Sequence, residues 1–185
     1  MRKVISFVLT TLDGYHEGPN HEIDWHNVDD EFNQFSIQQL DEIGTLLFGR
    51  VTYELMAAYW PTPAAMESDP DIAARMNSMP KVVVSRTLDD VEWANARLVK
   101  DGLAEALAEL KQQPGKDIAV FGSSNLTASL MRMGLVDEFR IMVNPVVLGE
   151  GRPLFQTADR TNLKLVRTRT FDSGNVLLYY ELSGR

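Results

Sequence analysis

Two short stretches combine a glycine, a hydroxyl and a helix start in a way that suits an anionic ligand. In Phe48-Gly49-Arg50-Val51-Thr52-Tyr53-Glu54 an apolar run ends in Gly-Arg, and a hydroxyl follows two residues later. Gly49 lets the chain turn sharply without a Cβ clash, and Thr52 can cap or begin the helix that follows. A helix start offers unpaired N–H groups and a positive dipole end. Arg50 adds a fixed cation with a planar donor fork, so the stretch suits a phosphate. In Phe121-Gly122-Ser123-Ser124-Asn125-Leu126 a second buried strand runs into small residues before another helix. Gly122 permits close backbone approach, and free N–H groups with serine hydroxyls suit a pyrophosphate. Neither stretch has the spacing of a Gly-x-Gly-x-x-Gly fingerprint or a Walker loop. Taken singly, each is equally compatible with an ordinary turn or a serine cap.

Other residues bear less specific signals. Val84-Ser85-Arg86 again places a hydroxyl and an arginine at a strand end, and Asp13-Gly14 is a strong turn signal after the first strand. His16, His21 and His26 recur every five residues, which matches neither a helical pair nor a zinc signature, and no cysteine can complete one. They are expected at the surface, with no metal.

The elements that must position these residues follow from periodicity. Residues 4–10 read as a buried strand. Residues 29–43 read as an amphipathic helix with Phe32, Phe35, Leu40 and Ile43 inward, closed by Gly44. Residues 46–48 form a buried strand, and the next helix turns Tyr53, Met56, Ala57 and Trp60 to one side. Residues 61–70, with three prolines, read as a loop, and residues 71–77 as a short helix. Strands are predicted at 81–86 and 98–99. Asp101 is placed as the cap of a helix carrying Leu103, Ala106, Leu107 and Leu110. Residues 117–121 form a strand, 126–133 a helix, and 136–143 a half-exposed strand with Phe139, Ile141 and Val143 on one face. Residues 164–171 and 176–182 form a terminal β-hairpin. Alternating strands and helices argue for an α/β fold: a mostly parallel central sheet with helices on both faces and a C-terminal antiparallel hairpin.

At 185 residues the chain suits a single domain spanning 1–185. A formal net charge of -8 argues against nucleic-acid partners and anionic membranes, though not against an anionic cofactor held by a few local cations. The apolar run at 4–9 is too short to cross a bilayer. With no cysteine, disulfides and thiolate chemistry are excluded, which fits a reducing, cytoplasmic setting.

In order along the chain, Leu12-Asp13-Gly14, Phe48-Gly49-Arg50-Val51-Thr52-Tyr53-Glu54, Val84-Ser85-Arg86, Phe121-Gly122-Ser123-Ser124 and Asn144-Pro145-Val146-Val147-Leu148-Gly149-Glu150-Gly151 resemble the dihydrofolate reductase superfamily. The match is to its bacterial branch related to the riboflavin biosynthesis reductase (RibD C-terminal) domain. That resemblance implies NADPH as cofactor. It implies phosphate contacts from Gly49, Arg50 and Thr52, with Ser85 and Arg86 near the 2′-phosphate. The pyrophosphate would meet Gly122, Ser123, Ser124, Asn125 and Leu126. It further places the nicotinamide by Leu12 and the first strand's end, and a substrate pocket around Trp25, Phe32, Tyr53 and Val143. Asp13 is implied as the catalytic acid, with Asp30 or Glu31 as the acid of the first helix. The expected activity is hydride transfer to a small heterocyclic, pterin- or pyrimidine-like or related substrate. A non-catalytic nucleotide- or pterin-binding protein on the same fold is the alternative. Proteins of this kind are often homodimers; residues 136–143 and the terminal hairpin would supply the interface, or else a solvated edge.

Overall fold

In the computed structural model, which describes residues 1–155 and 160–183, the chain runs through ten strands and six helices. They are β1 (Val4–Thr11), β2 (Tyr15–Glu17), α1 (Asp30–Glu42), β3 (Ile43–Gly49), α2 (Arg50–Tyr59), α3 (Pro63–Ser68), α4 (Pro70–Ser78) and β4 (Lys81–Val84). There follow β5 (Ala96–Val99), α5 (Leu103–Gln112), β6 (Asp117–Phe121), α6 (Ser124–Arg132), β7 (Glu138–Asn144), β8 (Arg152–Pro153), β9 (Leu163–Thr170) and β10 (Val176–Leu182). Eight strands form one sheet in the order β5-β4-β3-β6-β1-β7-β10-β9. From β5 to β7 every pairing is parallel. The hairpin β9–β10 adds the antiparallel end. The mostly parallel α/β sheet with a terminal hairpin is as expected.

Alternation along the central strands sends successive side chains to opposite faces. Leu47, Val82, Ile118 and Val120 meet Leu107 and Leu110 of α5 and Leu126 and Leu130 of α6. Their neighbours Leu46, Phe48, Val83 and Ala119 meet Leu40 of α1, Tyr53 of α2, and Ile72 and Met76 of α4. Both faces are therefore covered, which is why these strands read as continuous apolar runs. A third apolar cluster joins Phe7, Phe35, Met142, Phe171, Leu177 and Tyr179 under the hairpin.

Several local expectations are corrected. Helix α1 ends at Glu42; Ile43 is extended and opens β3, pairing with Asp117. The proline-rich segment holds α3, because Thr62 caps Ala65 N–H and Pro63 sits at the helix start, where a missing N–H costs nothing. Helix α5 is capped by left-handed Gly102 rather than by Asp101, which pairs instead with Arg86 at 3.2 Å. Strand β7 is interior, between β1 and β10, so Arg140 is buried and held by Glu138 (2.6 Å), Glu42 and Gln39 (both 3.2 Å). Among the described residues no helix is long and apolar enough to cross a membrane.

Candidate functional site

Strands β3 and β6 are neighbours in the sheet, so the helices that leave their C-terminal ends start side by side. Neither helix N-terminus is capped by a side chain: α2 is preceded by Gly49 and α6 by Ser123. Ser123 clasps the two turns together. Its hydroxyl accepts from Gly49 N–H at 3.0 Å and donates to Thr52 Oγ1 at 2.7 Å. Both Gly122 (φ 60°) and Ser123 (φ 53°) are left-handed, the first at no steric cost and the second held by its two hydrogen bonds. A Cβ on Gly49 would lie 3.2 Å from Ser123 Oγ, a tight contact that would press on the hydroxyl clasping the two turns.

These turns form one end of a cavity of about 710 Å³. Its floor is the C-terminal end of β1, with Phe7, Val8 and Leu9, and Phe121 of β6. One wall is α2, another is the inward face of α1 with Phe32, Asn33 and Ser36, and Asp69 enters from the α3–α4 junction. A two-stranded flap, β2 with β8, carries His16, Glu17 and Arg152 onto its rim. Glu17 collects the flap's charges: His21 Nδ1 lies at 3.0 Å, Arg152 Nε at 3.4 Å and His16 Nε2 at 3.9 Å.

Of the residues expected to bind cofactor, Gly49, Arg50, Thr52, Gly122, Ser123, Ser124, Asn125 and Leu126 line this cavity together. Arg50 rests against Glu54 one helical turn on, at 3.0 Å. Ser85 and Arg86 lie outside the lining. The Ser85 hydroxyl accepts from Thr87 and Leu88 N–H at 3.1 Å, whereas Arg86 is exposed, just past the cavity-lining Val84. Leu12 is also exposed, away from the lining.

The substrate and acid candidates divide. Phe32 lines the cavity. Tyr53 is core: its hydroxyl accepts from Glu92 and Trp93 N–H at 3.0 and 3.2 Å. Trp25 lies outside the lining, edge-on to His26, and Val143 is paired within the sheet against Thr10 and Val176. Asp13 latches the loop before the flap's second strand, accepting from Thr11 Oγ1 (2.6 Å), Gly149 N–H (2.8 Å) and Leu148 N–H (3.3 Å). The Thr11 hydroxyl foremost, then those N–H groups, holds its carboxyl below the usual range. Glu31 latches the hairpin, accepting from Arg169 (3.1 Å) and Asp172 N–H (2.9 Å), and Asp30 is exposed beside it in the first turn of α1. None of these three carboxylates is in the cavity lining.

Sequence reasoning missed the histidines, Glu17, Asn33, Asp69 and Arg152. All three line the cavity; His21 is exposed, as expected, whereas His16 and His26 are partly buried, and His26 Nε2 is buried with no hydrogen-bond partner. Burial pushes His26 down to about 4 and lowers His16, so both are neutral at physiological pH. No sequence signal marks Asp69, because only the α3–α4 junction brings it opposite Asn33, whose Nδ2 donates to it at 3.3 Å.

Comparison with known proteins places the fold and the family. The uncharacterized protein YyaP of Bacillus subtilis (strain 168) is 39% identical over 186 residues, spanning 99% of this chain and 96% of its own. Two solved structures share the fold at low identity. One is the Thermotoga maritima diaminohydroxyphosphoribosylaminopyrimidine deaminase/5-amino-6-(5-phosphoribosylamino)uracil reductase, with TM-score 0.72 and 14% identity. That match takes in 98% of this chain and 56% of the Thermotoga chain. The other is a dihydrofolate reductase from Enterococcus faecalis complexed with NADP(H), with TM-score 0.64 and 17% identity, covering 98% of this chain and 96% of that one. The fold is thus that of dihydrofolate reductase, and a model of the RibD C-terminal domain matches residues 2–177, nearly the whole span that builds the sheet and the cavity. The chain belongs to the RibD C-terminal domain family.

Proposed function

We propose that the chain is an NADPH-dependent reductase, a single domain that transfers hydride to a small heterocyclic, pterin- or pyrimidine-like or related substrate. The observation that carries this is the pair of side-chain-free helix N-termini, clasped by Ser123 at one end of one cavity. Such N–H groups hold a pyrophosphate well, and Arg50 adds charge beside them. The Enterococcus relative is described as bound to NADP(H), and the Thermotoga relative as a reductase, which supports the same assignment.

Bound NADPH would supply the hydride. The chain's own residues do the rest. The first turns of α2 and α6, with Thr52 and Ser124, would hold the pyrophosphate. Arg86 would leave Asp101 for the 2′-phosphate, near Ser85. Gly122 and the end of β1 would seat the nicotinamide against the substrate. Flap and α1 exclude water from that junction, which strengthens each polar contact inside it. Asp13 and Glu31 act by position, holding the flap loop and the hairpin. A proton for the reduced substrate would come from a group on the cavity wall, Glu17 or Asp69 being the carboxylates there.

The non-catalytic alternative draws on one observation, that Asp13 and Glu31 are spent on structural bonds. The test is a melting curve with NADPH and with NADH, for wild type and Arg50→Ala, followed by NADPH consumption with a substrate panel. At a hundredfold excess over its dissociation constant a ligand of the folded state stabilises by about 2.7 kcal/mol. The expected result is a larger shift for NADPH than for NADH, diminished in Arg50→Ala. No shift with either nucleotide would defeat the proposal, and binding without consumption would favour the alternative. A cytoplasmic homodimer completes it, the exposed edge strand β9 of the terminal hairpin, with Leu165 and Val166, offering a surface for pairing.

A further inference from the structure

Helix α1 lines two cavities. Phe32, Asn33 and Ser36 face the main one, whereas Phe35, Gln38 and Glu42 face a smaller one of about 160 Å³ against the terminal hairpin. Gln39 is buried and lines both. The hairpin side of the smaller pocket is a row across three strands. Arg140 of β7, Tyr179 of β10 and Arg167 of β9 are cross-strand partners, and such partners share a face of the sheet. Alternation brings Arg169 to that same face two residues along β9.

The aromatic rings hold these side chains flat. The Arg167 guanidinium carbon lies 3.9 Å from the Tyr179 ring centroid, and that of Arg140 lies 5.5 Å from it. Arg169 lies 4.4 Å from the Phe171 ring and 5.5 Å from that of Phe35. Stacking uses the face of a guanidinium and leaves its in-plane N–H donors for other partners. Arg140 has spent most of its donors, on Glu138 at 2.6 Å and on Glu42 and Gln39 at 3.2 Å. Arg169 gives one N–H to Glu31 at 3.1 Å. Arg167 forms no ion pair among the described residues, and its contact is with the Tyr179 ring. In a chain of net charge -8, the lining of this one pocket gathers three arginines against one carboxylate, Glu42. An oxyanion entering it exchanges hydration for charge-assisted N–H bonds, in a half-enclosed place where attraction is stronger than at the open surface.

We propose that this pocket binds a small oxyanion of the phosphate or sulfate kind, held by Arg167 and Arg169, faced by Gln38 from α1, with the Arg140 charge buried beside it. The size argues for a free ion. At roughly 30 Å³ for each water, the pocket holds an oxyanion and a few waters, not a nucleotide. Bound there, the ion ties the hairpin to α1, which is also a wall of the main cavity. The site is independent of the cofactor assignment.

The experiment is a titration of the protein with sodium phosphate at constant ionic strength, followed by NMR at the arginine Nε–H and backbone amide signals. The Arg167 and Arg169 signals are expected to shift and to saturate in the millimolar range. Sulfate should compete, and chloride at the same ionic strength should leave them in place. In Arg167→Gln the affinity read at Arg169 should fall about tenfold, the loss expected for one charge-assisted bond. Arg167→Lys, which restores the charge without the planar fork, should recover part of it. Phosphate can also meet the helix starts of α2 and α6, so the Gly49 and Ser124 amides are followed in parallel, and Arg50→Ala should leave the Arg167 titration unchanged. Shifts confined to the Gly49 and Ser124 amides, a chloride effect equal to that of phosphate, or undiminished affinity in Arg167→Gln would each overturn the proposal.

Discussion

At the scale of single residues, two buried groups outside the phosphate turns have measurable consequences. His26 is held near 4 by burial, against an ordinary value of 6.5. As pH falls from about 6.5, the unfolded chain takes up that proton first, so folding stability declines until about pH 4 and is level below it. The loss attributable to this side chain is about 3 kcal/mol at most. Denaturant titrations at pH 7 and pH 4.5 should show it, and His26→Leu should lose most of that slope. Lys81 is a different case. It is buried at the start of β4, where its ammonium donates to the carbonyls of Asn77 (3.1 Å), Met79 (2.8 Å) and Ala94 (2.9 Å) and lies 4.3 Å from the Trp93 ring centroid. Burial pushes its pKa down to about 8, and at neutral pH those acceptors hold the charged form. Lys81→Met would strand three carbonyls and should cost about 2–4 kcal/mol by chemical denaturation, with NADPH affinity unchanged.

At the scale of elements, the site depends on two latches and one clasp. Asp13 holds the Leu148–Gly149 backbone, and through it the flap that carries Glu17 and Arg152. In Asp13→Ala the amides of Leu148 and Gly149 should exchange with solvent at least about tenfold faster, while those of β1 and β6 stay protected. Unchanged protection at both amides would show that the flap is held by β2–β8 pairing alone. The clasp is tighter. Gly49→Ala puts a methyl 3.2 Å from Ser123 Oγ and presses on the hydroxyl that clasps the two turns proposed to hold one pyrophosphate. NADPH affinity should fall about tenfold, equivalent to roughly 1.4 kcal/mol, with little change in the melting temperature of the unliganded protein.

At the scale of the whole molecule, charge and sheet order act together. A chain of net charge -8 offers little general attraction to an anion, so capture of the proposed NADPH would depend on a few placed groups. NADPH affinity should therefore show only a shallow dependence on salt between low and physiological ionic strength, apart from the share due to Arg50 and Arg86. A steep dependence that persists in the Arg50→Ala, Arg86→Ala double variant would mean that some other basic surface is involved. The exposed edge makes a separate prediction. Val166→Lys on β9 should leave the fold intact and shift any dimer to monomer by sedimentation, since charge on an edge strand opposes pairing.

How much of this was legible in the chain varies with the range of the cause. The parallel sheet and its hairpin follow from local alternation and turn residues, and the phosphate-end residues from glycine, hydroxyl and helix-start chemistry within a few positions. Those are short-range effects that a sequence carries in itself. The boundary at Ile43, the helix α3 and the cap of α5 lay at the margin, because a buried β pairing, a proline at a helix start and a left-handed glycine each compete with the simpler local choice. The far end of the site was not legible. Asp69, Asn33, His26, Glu17 and Arg152 come from four separate segments and converge only when α1, α4 and the flap pack around the end of β1. Likewise Tyr53 looked suited to a pocket until packing turned its hydroxyl to the Glu92 and Trp93 amides. By itself, then, the sequence determined the sheet, its two covered faces and the turns suited to phosphate. Only the tertiary structure decided which acids and histidines share a cavity and which are spent as latches, because burial and partner choice are properties of residues distant in the chain.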